Sequence, residues 1–332
     1  MVSLLSGDKD LSEGISRVDE YINKFLHTDQ ETEAMDSVFG SMRNTRGKMI
    51  RPLFLLLTAR FGPDYGAMRE RLCKLGAFVE IVHMASLIHD DIIDDSPLRR
   101  GRPTVQQQFG KDVAVYTGDF MISRVMRHLA EEQMLHEVAV MGQTVEEMCR
   151  GELGQMTYRW NTETTVDAYL RNIYGKSVAL FVGAARLGGE DSGCSPDIVS
   201  RLTAIGEHLG YIYQIRDDVL DFISDQQQEG KPVNRDFADG IYTLPVIYAL
   251  GQPEYTVRLR EIAGTKYSDP DYAAVMKEMR EIVLQSGGID FSRQQLENHA
   301  AQARQQIDAL GGHDAGQSLT RLIDYLLDLG DT

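Results

Sequence analysis

Four carboxylates stand within six residues in Leu87-Ile88-His89-Asp90-Asp91-Ile92-Ile93-Asp94-Asp95, at the end of an apolar run, and the basic turn Arg99-Arg100-Gly101-Arg102 follows at once. The run from Ala77 to Ser96 contains no Gly or Pro and reads as helix, so Asp90 and Asp94, four residues apart, share a face, with His83 two turns earlier on it. Like charges at this spacing repel, which marks the cluster as a place for a cation rather than a solvated surface. Ligands that are all oxygen, with room for water and phosphate, describe Mg²⁺ better than Zn²⁺, which prefers Cys and several His. Guanidinium groups beside Mg²⁺ make a strong site for phosphate oxygens.

The same Asp-Asp-x-x-Asp spacing returns at Asp217, Asp218 and Asp221, again on an apolar helical run, and Gln214 precedes these aspartates by three, four and seven residues. Two such clusters on facing helices could hold several Mg²⁺ ions around one diphosphate.

The elements that must position these residues are helices. Apolar residues recur at helical spacing over Leu11–Leu26, Leu53–Phe61, Met68–Asp95, Val113–Leu135, Val138–Tyr158, Val166–Leu187 and Pro196–Ser224. The pattern continues over Leu244–Leu250, Asp271–Gln285, Ser292–Leu310 and Ala315–Leu329, while the stretch after Leu26 reads as a polar segment. No run of alternating apolar and polar residues ends in Asn-Gly or Asp-Gly, so strands are not expected. The fold class is all-α, and with no linker rich in Pro, Gly and Ser, residues 1–332 read as a single domain.

Composition excludes other classes. The 332 residues carry 34 Lys and Arg against 50 Asp and Glu, a formal charge of -16, which argues against a nucleic-acid surface and for a cytoplasmic protein. The three cysteines, Cys73, Cys149 and Cys194, are too few and too scattered for a disulfide framework or a metal knuckle, and read as reduced, packed thiols. Met1 to Leu11 has no basic region followed by an apolar run, so no secretory signal is expected. Its most apolar stretches are short or interrupted by Glu80 and His83, so no integral membrane span is expected.

In order along the chain, Gly47-Lys48-Met49-Ile50-Arg51-Pro52, His83, the first aspartate cluster with Arg99-Arg100-Gly101, Lys176-Ser177, Gln214 with the second cluster, and Gly230-Lys231-Pro232 leading to Asp236, Gly240 and Thr243-Leu244-Pro245 resemble the all-trans isoprenyl diphosphate synthases. The resemblance implies a single bundle of ten or more helices around a deep central cavity (the isoprenoid synthase type I fold) and a homodimer. It implies three Mg²⁺ ions per site on Asp90, Asp94 and Asp217, with Asp91, Asp218 and Asp221 assisting. Arg99, Lys176 and Lys231 would hold an allylic prenyl diphosphate, and Lys48, Arg51, His83 and Arg100 would hold isopentenyl diphosphate. Ser177 and Gln214 would line the reacting carbons. The chain departs from the family pattern at Arg46, where a second Gly is common, and at Ser177, where Thr is frequent, yet the serine keeps the hydroxyl.

Three alternatives weigh less. An HD-type phosphohydrolase does not explain the second cluster. A terpene cyclase does not need Lys48, Arg51 and Arg100, and regulatory prenyl synthase subunits tend to lose aspartates that are all present here. A catalytic subunit requiring a small partner stays open. Product length is read from the turn before Asp90: Ala85 and Ser86 are small where short-chain members place a ring or insert residues, and Val82 and Val79 would line the next levels. The expected product is a medium- or long-chain all-trans polyprenyl diphosphate of the kind used for quinone side chains, with a farnesyl or geranylgeranyl product as the alternative.

Overall fold

The computed structural model describes residues 7–26, 33–43, 47–223, 235–266, 268–311 and 314–329. Helices dominate. They are α1 (Lys9–Leu26), α2 (Glu33–Arg43), α3 (Ile50–Ala59), α4 (Arg69–Ile93), α5 (Val105–Phe109), α6 (Lys111–Glu131), α7 (Leu135–Tyr158), α8 (Val166–Ile173), α9 (Ala179–Asp191), α10 (Pro196–Ile223), α11 (Arg235–Ala238), α12 (Leu244–Leu250), α13 (Pro253–Ile262), α14 (Tyr272–Gln285), α15 (Gly288–Ala309) and α16 (Asp314–Leu327). The all-α expectation holds.

Three features depart from the sequence reading, each for a local reason. The polar segment after Leu26 contains α2, and α5, α11 and α13 are further helices too short or too polar to show an apolar period. The basic turn is a hairpin, with strand β1 (Leu98–Arg99) antiparallel to β2 (Arg102–Pro103). Its two-residue loop, Arg100 at φ 52° and Gly101 at φ 72°, has the paired left-handed geometry of a tight hairpin turn, reached here without Asn or Asp. The expected helix Val166–Leu187 is interrupted by a π-helical turn at Tyr174–Val178. Its cause is packing: a Cβ on Gly175 would lie 2.5 Å from the Glu147 carbonyl oxygen and from the Gly151 Cα, so the two backbones touch where any side chain would part them.

The chain divides into two compact units: unit 1, the described residues of Met1–Val145, Leu180–Ala204 and Ile307–Arg321, and unit 2, those of Glu146–Ala179, Ile205–Gln306 and Leu322–Thr332. Unit 1 is built on α3, whose residues from Ile50 to Ala59 are all buried, against α1 and α4. Val18, Ile22, Leu53, Phe54, Leu75 and Phe78 fill this core, each burial stabilising by about 1.5–3 kcal/mol. In unit 2 the core comes from Ile205, Leu209, Ile212, Met279, Val283 and Leu296. There Gly210 lets α10 approach Val178 so closely that a Cβ would sit 2.6 Å from the Val178 Cα.

Helix α4 is long and apolar enough to cross a membrane by length and composition, with mean hydropathy 1.4, although 67% of that stretch is buried inside the protein. By length and composition, Glu80 and His83 do not exclude a span here, against expectation. All three cysteines are free, but only Cys73 is packed away; Cys149 is exposed, against expectation.

Candidate active site

The first aspartate cluster closes α4. Asp94 is its C-cap, Asp95 takes a left-handed φ of 47°, and the Ser96 amide returns to the Asp91 carbonyl while the Asp95 amide returns to that of Ile92. This is a Schellman ending with aspartate where glycine is usual. Gln106 holds it from outside, donating through Nε2 to the carbonyls of Asp91 (2.6 Å) and Ser96 (2.9 Å). A negative helix end that already bears Asp90 and Asp94 favours a cation.

Asp91 and Arg99 meet in an ion pair: Arg99 Nε donates to Oδ1 at 2.9 Å and to Oδ2 at 3.1 Å of a carboxylate whose side chain is 8% exposed. The residues assigned on sequence to metal and to phosphate thus hold each other. Arg99, Arg100, His83 and Asp91 line one cavity of unit 1 together with Gly47 and Glu80. Arg51 reaches it through His83, whose Nε2 lies 3.1 Å from Arg51 Nη1, and its guanidinium rests over the Phe181 ring at 4.9 Å. Burial, and then the charges of Arg51, Arg99 and Arg100, hold His83 well below its ordinary pKa. A guanidinium can only donate, so the neutral ring accepts at Nε2 and carries its proton on Nδ1. Gly47 is close because it lacks a side chain: a Cβ there would stand 3.3 Å from the Arg100 guanidinium. Lys48 is exposed, in the loop before α3.

Of the residues expected to set product length, Ala85, Val82 and Val79 are fully buried in unit 1, and Ser86 is half-buried with its hydroxyl donated to the His83 carbonyl at 2.9 Å. Ser86 and Val82 lie on the Asp90 row of α4, four residues apart. Ala85 lies on the row of His89, and the His89 ring packs where a Cβ on Gly118 of α6 would be.

In unit 2 the π turn presents Lys176 and Ser177, and α10 presents Gln214 and the second cluster. Asp217 is exposed, Asp221 half-buried and Asp218 buried. Tyr169 donates to Asp218 Oδ2 at 2.6 Å, Gln214 Nε2 donates to Oδ1 at 2.8 Å, and the Ser177 hydroxyl donates to Gln214 Oε1. Burial pushes the Asp218 carboxyl up to about 7, opposed by the hydrogen bonds from Tyr169 and Gln214. A cavity of unit 2 is lined by Lys176, Gln214, Asp218, Asp236, Tyr169 and Arg159 among others, and Lys176 Nζ lies 3.9 Å from Glu152. Lys231, with Gly230 and Pro232, lies outside the described residues, as does Arg46.

Among the described residues no three His, Cys, Asp or Glu side chains already converge as a metal site. The donor set nevertheless fits Mg²⁺: paired carboxylates near the C-terminal ends of two long helices, with further ligands left to water and phosphate oxygens. Sequence reading missed Tyr169, Glu80 and Gln106. Tyr169 sits on an amphipathic helix like any core tyrosine, and only its spacing of seven from Lys176 hints at a shared face.

The polyprenyl synthetase family profile matches residues 32–282. The chain belongs to the polyprenyl synthetase family. It is 33% identical over 316 residues to heptaprenyl diphosphate synthase component 2 of Geobacillus stearothermophilus, covering 95% of this chain and 96% of that one. It is 31% identical over 317 residues to nonaprenyl diphosphate synthase of Mycobacterium tuberculosis, covering 94% and 91%. The crystal structure of heptaprenyl diphosphate synthase from Staphylococcus aureus superposes with a TM-score of 0.88 at 26% identity, over 96% of this chain and 98% of that one. The chain is therefore a predominantly helical prenyltransferase.

Proposed function

We propose that this prenyltransferase condenses isopentenyl diphosphate head-to-tail with an allylic prenyl diphosphate, repeatedly, to a medium- or long-chain all-trans polyprenyl diphosphate of the kind that supplies quinone side chains. The observation that carries this reading is the unit 1 cavity, where Arg99, Arg100 and the Arg51–His83 pair gather beside a carboxylate-bearing helix end. Guanidinium groups held this way suit diphosphate oxygens.

Asp90, Asp94, Asp217 and Asp221 would hold Mg²⁺, which neutralises charge growing on the departing diphosphate and lets the allylic C–O bond ionise. Lys176 and Lys231, with Arg99, bind that diphosphate, while Arg51, His83, Arg100 and Lys48 bind the other substrate. Neutral His83 accepts from Arg51 at Nε2 and keeps its Nδ1–H as a donor, without adding charge. Ser177 and Gln214 line the carbons between which the new bond forms. The double bond of isopentenyl diphosphate attacks the allylic cation, and a proton passes to the released pyrophosphate. Apolar side chains such as Met84, Leu87 and Ile88 exclude water that would quench the cation.

Residues 1–332 serve as one catalytic domain, and two copies of the chain associate. Exposed apolar Tyr116 (74%) and Leu135 (71%), with Val113 and Val115, support a covered face. The alternative is an unlike small subunit, raised by a relative named component 2. The charge balance and free thiols support a cytoplasmic site of action. Incubating the purified chain alone with Mg²⁺, isopentenyl diphosphate and farnesyl diphosphate, with product lengths read by mass spectrometry, tests the whole reading. Products of about thirty carbons or more are expected, and Ser86→Phe should shorten them, since close-packed walls yield little. Geranylgeranyl diphosphate as the main wild-type product would favour the short-chain alternative, and activity only with a second protein would favour the partner.

A further inference from the structure

We propose that Asp218 is a positioning residue rather than a cation ligand: held by Tyr169, it fixes the Gln214 amide and, through it, the direction of the Ser177 hydroxyl. The proposal rests on the prenyltransferase reading above. Two side chains with the same aspartate chemistry sit next to each other on α10, yet Asp217 is exposed and Asp218 is 6% exposed. Both oxygens of Asp218 already accept hydrogen bonds, Oδ2 from Tyr169 and Oδ1 from Gln214.

The direction of the chain of bonds follows from what each group can do. The Gln214 amide turns its NH₂ to Asp218, donating to Oδ1 at 2.8 Å. The amide carbonyl then faces Ser177, and the serine must donate. With its proton committed, Ser177 Oγ has only lone pairs left to offer. A group that presents lone pairs and no proton is the suitable neighbour for an allylic cation. Tyr169 sets the far end: it is 5% exposed, on the first turn of α8, where Thr165 caps the helix by accepting from the Ala168 amide at 3.2 Å. A rigid helix start therefore holds Tyr169 in place, which holds Asp218, which orients Gln214.

Two variants separate positioning from ligation. Tyr169→Phe keeps the ring and removes only the donor. It should lower kcat about tenfold or more while leaving KM for both diphosphates, and the Mg²⁺ concentration giving half-maximal rate, within about twofold. In Asp218→Asn one end of the side chain becomes NH₂: facing Gln214 it makes that amide turn over and Ser177 accept, and facing Tyr169 it makes the phenol accept, so part of the network reverses either way. Combining it with Gln214→Glu exchanges carboxylate and amide: the link between residues 214 and 218 reverses, while Tyr169 again donates to residue 218 and Ser177 again donates to residue 214. The double variant should recover at least about tenfold over Asp218→Asn. An unchanged kcat in Tyr169→Phe, or a raised Mg²⁺ requirement in Asp218→Asn that the exchange does not rescue, overturns the proposal and returns Asp218 to the ligand set. The Gln214 side-chain amide resonance of ¹⁵N-labelled protein reads the network without turnover. Its shift in Tyr169→Phe is expected even if the wild-type chain fails to condense the two diphosphates, whereas no shift overturns the network itself.

Discussion

The two Asp-Asp-x-x-Asp ends carry the same letters on different supports. In each, the second aspartate is buried, 6% exposed for Asp91 and for Asp218 alike. In unit 1 that buried carboxylate meets a charge, Arg99; in unit 2 it meets neutral donors, Tyr169 and Gln214. The contrast extends beyond the clusters. Unit 1 places Arg71 between Glu137 and Asp191, and Arg60 against Asp8 and Asp10, whereas unit 2 pairs His208 with His299 through ring nitrogens 3.1 Å apart. Helical spacing brings a carboxylate to a face but does not choose its partner; the elements packed against that face do.

The largest effects should come from the first aspartate of each cluster. Asp90→Asn and Asp217→Asn should each reduce turnover by about 10²-fold or more, the usual loss when one preorganised electrostatic contact is removed. Equal losses would make the two ends functional equals despite their different supports. A loss confined to one of them would break the comparison, and wild-type rates in EDTA would remove its basis.

Stability should then separate the supports. Arg99→Gln removes the Arg99 guanidinium from the buried Asp91 carboxylate, and should cost about 3 kcal/mol in urea unfolding, the low end for breaking a buried pair because Arg99 keeps 29% exposure. Adding Asp91→Asn should restore much of the loss. If the single variant unfolds at the wild-type midpoint, the ion pair is no more than a surface contact.

Much of this was legible in the sequence. The helices that bear the clusters announce themselves because burial on one side imposes an apolar period, and α12 falls on Leu244–Leu250 as the pattern indicates. What stayed hidden depends on contacts between distant residues. The π turn at Lys176–Ser177 arises from Gly175 meeting Gly151, and neither glycine alone signals it. The ending of α4 escapes because Asp95 adopts the conformation usually given to glycine, and Tyr169 escapes because a tyrosine that donates to a buried aspartate looks, in one dimension, like one that merely fills space.

Acid should expose the same contrast with opposite signs. Burial, and then the charge of His208, lowers the His299 pKa from 6.5 to about 4, so between those values the unfolded chain binds the proton that the folded one refuses. Stability from this ring is therefore complete above pH 6.5 and is lost as pH falls towards 4, by about 2 kcal/mol between pH 7 and pH 5. Asp191 works the other way: burial raises its pKa, with Arg71 opposing, so it gains stability from acid. The informative quantity is hence the difference between wild type and His299→Phe. The variant should flatten the loss on acidification, and identical slopes for the two proteins would exclude the neutral pair as its source.

The smallest effect lies where unit 1 does without a glycine. Asp95 at φ 47° follows the end of α4, and an L side chain in that region is strained by about 1 kcal/mol or somewhat more. Asp95→Gly removes that strain, at the cost of a more flexible unfolded chain and of the ion pair from Lys111 Nζ to Asp95 Oδ1 at 2.9 Å. The pair contributes little, since its side chains are 57% and 76% exposed. The balance favours glycine by under about 1 kcal/mol, a rise in melting temperature of about 1–3 °C for a chain of this size. Lys111→Met isolates the other term and should change the melting temperature by less. If Asp95→Gly instead lowers it by several degrees, the carboxylate does more than end a helix: it would then belong with Asp91 among the residues that unit 1 holds in place by charge.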